Sequence, residues 1–364
     1  MNIIDYLIWR GDLPFENYPF NEIDSLILSR LSYLPFEKIK IEDGDTLQII
    51  STKMKKIKEY RIQDDKKLIE LLGKSSRFQK LKISDFYINK SREFEKQFGA
   101  ITIHLKEGIY ISYIGTDNSI IGWKEDFNLS FLKHIPAQIE GVKYINEVSQ
   151  KYRGSIRVGG HSKGGNIAIY SSLYSDKTVS NRIISVNNFD GPGFDISVIS
   201  ESKNKQIIDK TVTYIPQDSV IGRVLEHKEK SITVKSNNKG LYQHDIYSWE
   251  IIKDTFVKCS LTDSSEFINQ TIKTWLLNTN SENRKVFVDS IFELFFSSNS
   301  ESFHELSKTW IKDIPLMFNA YKDISKKDRK VITQMIKEFA RSSSSVLKNI
   351  GKEKLEKIEN NLLE

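Results

Sequence analysis

The stretch SIRVGGHSKGGNIAIYSSLY, residues 155–174, decides the fold class. Its first part, SIRVGG, is a short apolar run of the kind that forms a buried strand. Its last part, NIAIYSSLY, has helical spacing. Between them lies Gly160-His161-Ser162-Lys163-Gly164, followed by Gly165. A G-x-S-x-G pentapeptide carries little weight alone. Set between a strand and a helix, it describes a tight turn that lifts a serine hydroxyl above the end of a sheet. Glycines at the two flanking positions suit that turn, because side chains there would meet neighbouring backbone. The following helix aims its first N–H groups at the same spot and favours negative charge developing there. Ser162 is therefore the candidate nucleophile. The plainer alternative is a glycine-rich turn that only packs a helix on a strand or holds phosphate. A Walker-type loop is disfavoured, because no G-x-x-x-x-G-K-S/T occurs here.

Working outward, AITIHLK (100–106) alternates apolar and polar residues, as a half-buried strand does. Glu107-Gly108 turns it into a second strand, IYISYIG, ending at Gly115. Pro136 opens a helix with Ile135, Ile139, Val142, Ile145 and Val148 expected on its buried side. RIISVNNF (182–189), TVTYIP (211–216) and SITVKS (231–236) read as further strands. Strands alternating with helices predict an α/β fold with a mostly parallel sheet and helices on both faces. Upstream, Asn21 is placed to cap a helix with Ile23, Ile27, Leu31 and Leu34 on one face. Beyond about residue 250 the spacing is helical throughout. The expected organisation is a helical N-terminal segment packed on the core (1–97), an α/β core (98–254) and an α-helical C-terminal extension (255–364). The extension is expected to pack on the core through Phe287, Ile291, Phe295 and Trp310 and to shape access to Ser162.

A serine hydroxyl needs a base and an orienting carboxylate before it attacks anything. Downstream of Ser162 stand His227, His244 and His304. His244 follows the strand SITVKS in a loop and is the expected base, whereas His227 reads as surface or core polar material and His304 lies in the helical extension. Asp218 follows the strand TVTYIP, at the end of the sheet where open α/β folds place their sites. It is the expected acid. Asp190 is the alternative, although Asp-Gly-Pro-Gly there reads more simply as a turn shaping the pocket wall. Ser162 Oγ is expected within hydrogen-bond reach of His244, and His244 within reach of Asp218. An oxyanion hole needs two donors: the backbone N–H of Lys163, and Thr116 at the end of the strand IYISYIG.

Several segments also resemble a known group. IYISYIGTDNSIIGWKEDF, GGHSKGGNIAIYSS, NNFDGPGF, YIPQDSVIG and QHDIYSW occur in that order. Together they resemble a bacterial family of unknown function in the α/β-hydrolase superfamily, similar to class 3 lipases. The N-terminal DYLIWRGDLPFENYPFNEIDSLILSRLSYLPF resembles the same family. The resemblance spans about residues 1–255 and implies an α/β-hydrolase fold and ester hydrolysis by Ser162, Asp218 and His244, with Thr116 and Lys163 forming the oxyanion hole. No metal or cofactor is needed. The chain departs from lipases at Lys163, which is expected to charge the mouth of the site.

Composition bounds the rest. The 364 residues, 39% hydrophobic and 28% charged, suit a soluble globular protein. No apolar run is long enough for a transmembrane helix, and MNIIDYLIWRGDLPF does not read as a signal peptide. The one cysteine, Cys259, allows no internal disulfide, and the cytoplasm is the simplest compartment. The formal net charge is +6, and residues 51–82 carry 11 Lys/Arg against 4 Asp/Glu. That segment reads as helical with a lysine coat, or as a docking face for an anionic membrane surface. No motif supports nucleic acid. Three function classes follow: a serine esterase or lipase, a non-catalytic binding module on a hydrolase fold, and a membrane-surface phospholipase.

Overall fold

The computed structural model describes residues 1–42, 44–202, 204–298 and 300–363, with side chains to residue 350 apart from 303–304 and 307–311. They form two units: residues 1–116 with 136–260, and residues 117–135 with 261–364. No helix among the described residues is long and apolar enough to cross a membrane.

In the first unit the chain begins with α1 (Ile3–Arg10), α2 (Glu22–Leu31), α3 (Leu47–Met54) and α4 (Gln63–Leu72). Three strands follow: β1 (Lys82–Ser91), β2 (Lys96–Leu105) and β3 (Gly108–Tyr113). After α5 (Ile120–Asn128), which belongs to the second unit, come α6 (Pro136–Lys151), β4 (Ser155–His161), α7 (Lys163–Tyr174), α8 (Lys177–Ser180) and β5 (Ile183–Phe189). Then α9 (Ile196–Glu201), β6 (Thr211–Pro216), β7 (Lys230–Val234) and a small hairpin, β8 (Ile251–Ile252) with β9 (Thr255–Phe256), complete the unit.

The main sheet has seven strands among the described residues, in the order β1 to β7. β1–β2 and β2–β3 pair antiparallel, and every pair from β3 to β7 is parallel. Sequential order with right-handed crossovers puts the crossover helices on one face. The other face needs a separate cover, and α2 supplies it by packing on β3, β4 and β5. Asn21 caps α2 as expected: its Oδ1 accepts N–H bonds from Ile23 and Asp24, while Asp24 Oδ2 accepts from the Asn21 N–H. Ile23, Leu26, Ile27 and Leu31 then enter the core with Tyr110 and Trp249.

Two expectations are corrected here. The helical N-terminal segment ends at Leu72, and β1, inside the stretch expected to be helical, adds an antiparallel edge to the sheet. Its core-side apolar residues are few and its register is interrupted between Ser84 and Tyr87, so the period-two signal is weak. On α6, Ile139 is exposed, and the buried face runs through Ala137, Gly141, Tyr144, Ile145 and Val148. Gly141 lies against Ile167 of α7, where a Cβ would come within 2.6 Å of its side chain. Close helix–helix approach, not bulk, sets that face.

The second unit contains α5, α10 (Asp263–Asn278), α11 (Ser281–Phe296), α12 (Phe303–Asp323) and α13 (Lys326–Leu363). The chain therefore enters it once between β3 and α6, before the C-terminal helices. Ile120 of α5 packs with Val288 and Phe292 of α11, with Phe287 and Phe295 at the margin of that cluster, and Lys124 pairs with Asp289 at 3.0 Å. Long-range packing of this kind leaves no local sequence signal. The Trp310 side chain lies outside the described residues.

Candidate active site

Ser162 stands between the last residue of β4 and the first of α7, with φ 59° and ψ −136°. A non-glycine residue in that region is strained, and the surroundings must hold it there. Two glycines let them do so. A Cβ on Gly160 would lie 2.3 Å from the Gly164 carbonyl carbon, and one on Gly164 would lie 2.3 Å from the Tyr113 carbonyl oxygen. The elbow is thus tied down by backbone approach on both sides. The Ser162 N–H donates to the Phe189 carbonyl at 2.9 Å, so the end of β5 lies alongside the elbow.

Asp190 is the residue after Phe189. It is buried, has φ 53°, and its Oδ2 receives the His244 Nδ1–H at 2.6 Å. Its Oδ1 accepts the Ser219 hydroxyl at 2.5 Å and the Gly222 N–H at 3.2 Å. The carboxylate therefore has three donors and its orientation is fixed. His244 ends a 3-10 turn, Gly240–His244, and is half-buried.

This corrects the expected partner of the imidazole. Asp218 does not meet the imidazole. Its Oδ2 accepts the Gln243 side-chain amide at 3.0 Å and the Gly240 N–H at 3.2 Å, and its own N–H donates to Gln243 Oε1 at 2.9 Å. Asp218 fastens the loop that carries His244. The reason is strand position: β5 neighbours β4, which carries the elbow, whereas β6 lies one strand further off, roughly 4.8 Å away. The signal was present in NNFDGPGF, a carboxylate directly after a strand, but its turn chemistry hid it.

The Ser162 hydroxyl makes no hydrogen bond among the described residues, so the expected contact with His244 is not formed. Such contacts are often long without substrate and tighten when it binds. His244 is nonetheless held close by the residue before the serine. The His161 ring lies 4.4 Å from the His244 ring, and its Nε2–H donates to the His244 carbonyl at 2.8 Å. Tyr33 stands on the other side. Its hydroxyl lies 3.3 Å from His161 Nδ1, donates to the His161 carbonyl at 2.9 Å and accepts the Gly115 N–H at 2.9 Å. Burial, reinforced by the neighbouring His244, pushes the His161 imidazole well below its ordinary 6.5 and keeps it neutral. Sequence reasoning gave His161 no role of its own.

The two expected oxyanion donors flank this elbow. Lys163 opens α7, where the first N–H groups of a helix have no partner within it. Its side chain does not charge the mouth of the site as expected. It is buried, and its ammonium donates to the Gln97 carbonyl at 3.0 Å. Thr116 is buried and follows Gly115, whose N–H is held by Tyr33 and whose carbonyl accepts the Gln97 side chain at 3.3 Å. His227 is bound elsewhere, to Glu229 at 2.6 Å. No cluster of metal-ligating side chains occurs among the described residues.

A mostly parallel sheet with a strained serine elbow after a central strand is the α/β-hydrolase fold. Residues 72–293 match the family model Mbeg1-like, and the chain belongs to that family. No curated protein sequence matches it. Among solved structures it is similar to the Lip2 lipase of Yarrowia lipolytica, at 13% identity over 46% of this chain and 69% of the other, with a TM-score of 0.31. It is also similar to a Rhizomucor miehei lipase propeptide complex, at 14% identity over 73% of this chain and 74% of the other, with a TM-score of 0.41.

Proposed function

We propose that the protein is a serine hydrolase that cleaves a carboxylic ester through an acyl-enzyme on Ser162. One observation carries this reading: a strained serine elbow whose His161 donates to the His244 carbonyl at 2.8 Å, with the His244 Nδ1 bound by a buried carboxylate at 2.6 Å. His244 Nε2 takes the Ser162 proton as Oγ attacks the ester carbonyl. Asp190 holds the Nδ1–H tautomer and stabilises the imidazolium that results. The Lys163 and Thr116 N–H groups receive the oxyanion. Collapse of the tetrahedral intermediate expels the alcohol, which takes its proton from His244. A water, deprotonated by the same nitrogen, then releases the acid and restores Ser162.

The test is a screen of p-nitrophenyl esters of increasing chain length. The expected result is turnover by the wild type that falls by about 10⁴-fold or more in Ser162→Ala and His244→Ala. His227→Ala should stay within a few-fold of wild type. Equal turnover in the wild type and Ser162→Ala would remove Ser162 as the nucleophile, and no turnover in the wild type would leave only a binding role for the fold.

A further inference from the structure

The second unit presents a surface that needs no catalysis to act. On α13, Ile336 and Leu347 are 56% and 59% exposed. They are eleven residues apart, which is close to three helical turns, so they stand on one line along the helix. Ala340, also exposed, lies between them near the same line. Lys337 and Lys348 repeat the spacing one residue on, and Lys330 precedes Lys337 by seven residues, close to two turns. An exposed apolar line and a basic line therefore run side by side, roughly 100° apart, over about 16 Å of helix. Lys330, Lys337 and Lys348 make no ion pair among the described residues. Arg341, close to the basic line, pairs with Glu338 at 3.4 Å.

The preceding helix in the chain has the same character. On α12, Ile314 and Phe318 are 46% and 54% exposed, four residues apart on one face, and the Lys322 ammonium lies 4.4 Å from the centre of the Phe318 ring. The opposite side of α13 is already used: Met335 and Val346 are buried, and the Trp275 indole of α10 donates to the Met335 carbonyl at 3.1 Å. The exposed lines are thus the free side of a packed helix.

We infer that this side of α13 docks on an anionic lipid surface. A helix that lies in a membrane interface has apolar side chains to enter the acyl boundary and lysines beside them to meet lipid phosphates. Here both occur at matched spacing, and the lysines make no ion pair among the described residues. The basic segment 51–82 lacks this pairing. Its Arg77 is buried against Asp24, Lys53 pairs with Asp45 at 2.5 Å, and Met54, Leu68 and Leu72 face the core. Lysine without an adjacent exposed apolar line attracts counter-ions but has nothing to insert.

The experiment is flotation of the full-length protein with vesicles of phosphatidylcholine alone or mixed with phosphatidylglycerol. Binding is expected only to the mixed vesicles and should weaken as salt rises. The triple variant Lys330→Gln/Lys337→Gln/Lys348→Gln should bind about tenfold more weakly or worse. Ile336→Ser/Leu347→Ser should lose binding even at low salt. All these positions are on the surface, so circular dichroism should report an unchanged helix content. Lys55→Gln/Lys56→Gln/Lys58→Gln should bind as the wild type does. The inference is overturned if the wild type stays unbound, or if the 55/56/58 variant is the one that loses binding. It is equally overturned if the α13 variants instead abolish a dimer seen by light scattering, or retention on RNA. None of these readouts depends on Ser162, so failure here and failure of the hydrolase reading are distinguishable.

Discussion

Two carboxylates end neighbouring strands of the same sheet, and both serve His244, in different ways. Asp190, after β5, binds the imidazole Nδ1 and is itself held by Ser219 and Gly222. Asp218, after β6, binds Gln243 and the Gly240 N–H, and so holds the backbone that presents the imidazole. One binds the imidazole itself; the other binds the loop that carries it. The contrast shows that nearness to a strand end is not enough to assign a role. What separates the two is which strand end lies beside the elbow, and the bond from the Ser162 N–H to the Phe189 carbonyl decides that.

The sharpest way to break this contrast is Asp190→Asn against Asp218→Asn. Asp190→Asn should lower kcat for an activated ester by about 10⁴-fold, because the imidazole loses both its tautomer control and its counter-charge. Asp218→Asn should lower kcat by less than about tenfold. It should cost about 1–2 kcal/mol of stability in urea unfolding, through the weakened loop bonds. Reversed magnitudes would restore Asp218 as the acid.

Ser219→Ala should have an intermediate effect. Asp190 Oδ1 then keeps only the Gly222 N–H, and kcat should fall by about tenfold, the value of one charge-assisted hydrogen bond. An unchanged pH–rate profile and kcat would mean that Ser219 merely fills space.

The smallest effect concerns His161 and is read as stability. Its folded-state pKa is depressed below the ordinary 6.5 because burial favours the neutral ring. The unfolded chain therefore binds the extra proton first. Stability from this residue is complete above about pH 6.5 and is lost as pH falls below it, at up to about 1.4 kcal/mol per pH unit. His161→Gln should be less stable than wild type at neutral pH, since it loses the bond to the His244 carbonyl. Its stability should nonetheless fall less steeply between about pH 6.5 and 5. Parallel slopes in urea denaturation would show that His161 is protonated in the folded protein.

Most of the parallel sheet was legible because its strands are short apolar runs bounded by turns. TVTYIP, for example, is β6 from Thr211 to Pro216. The elbow was legible because its strain demands glycines at Gly160 and Gly164, and glycines are visible in a sequence. β1 was not, since it is a half-exposed edge with a broken register. The partner of His244 is hidden in the sequence because Asp190 looks like turn material: its φ of 53° does make a turn, and that turn is what aims the carboxylate at His244. The insertion of residues 117–135 into the helical unit depends on Ile120 meeting Val288 and Phe292, more than 160 positions away.

Ser162 is proposed as a nucleophile activated by His244 and Asp190. The most direct test is labelling by a fluorophosphonate, followed by mass spectrometry of the labelled peptide. A stoichiometric adduct is expected on Ser162 in the wild type and none in Ser162→Ala. Labelling should be slowed by orders of magnitude in His244→Ala and Asp190→Asn, and stay near the wild-type rate in Asp218→Asn. A wild-type protein that stays unlabelled, or that labels as fast without His244, would contradict it.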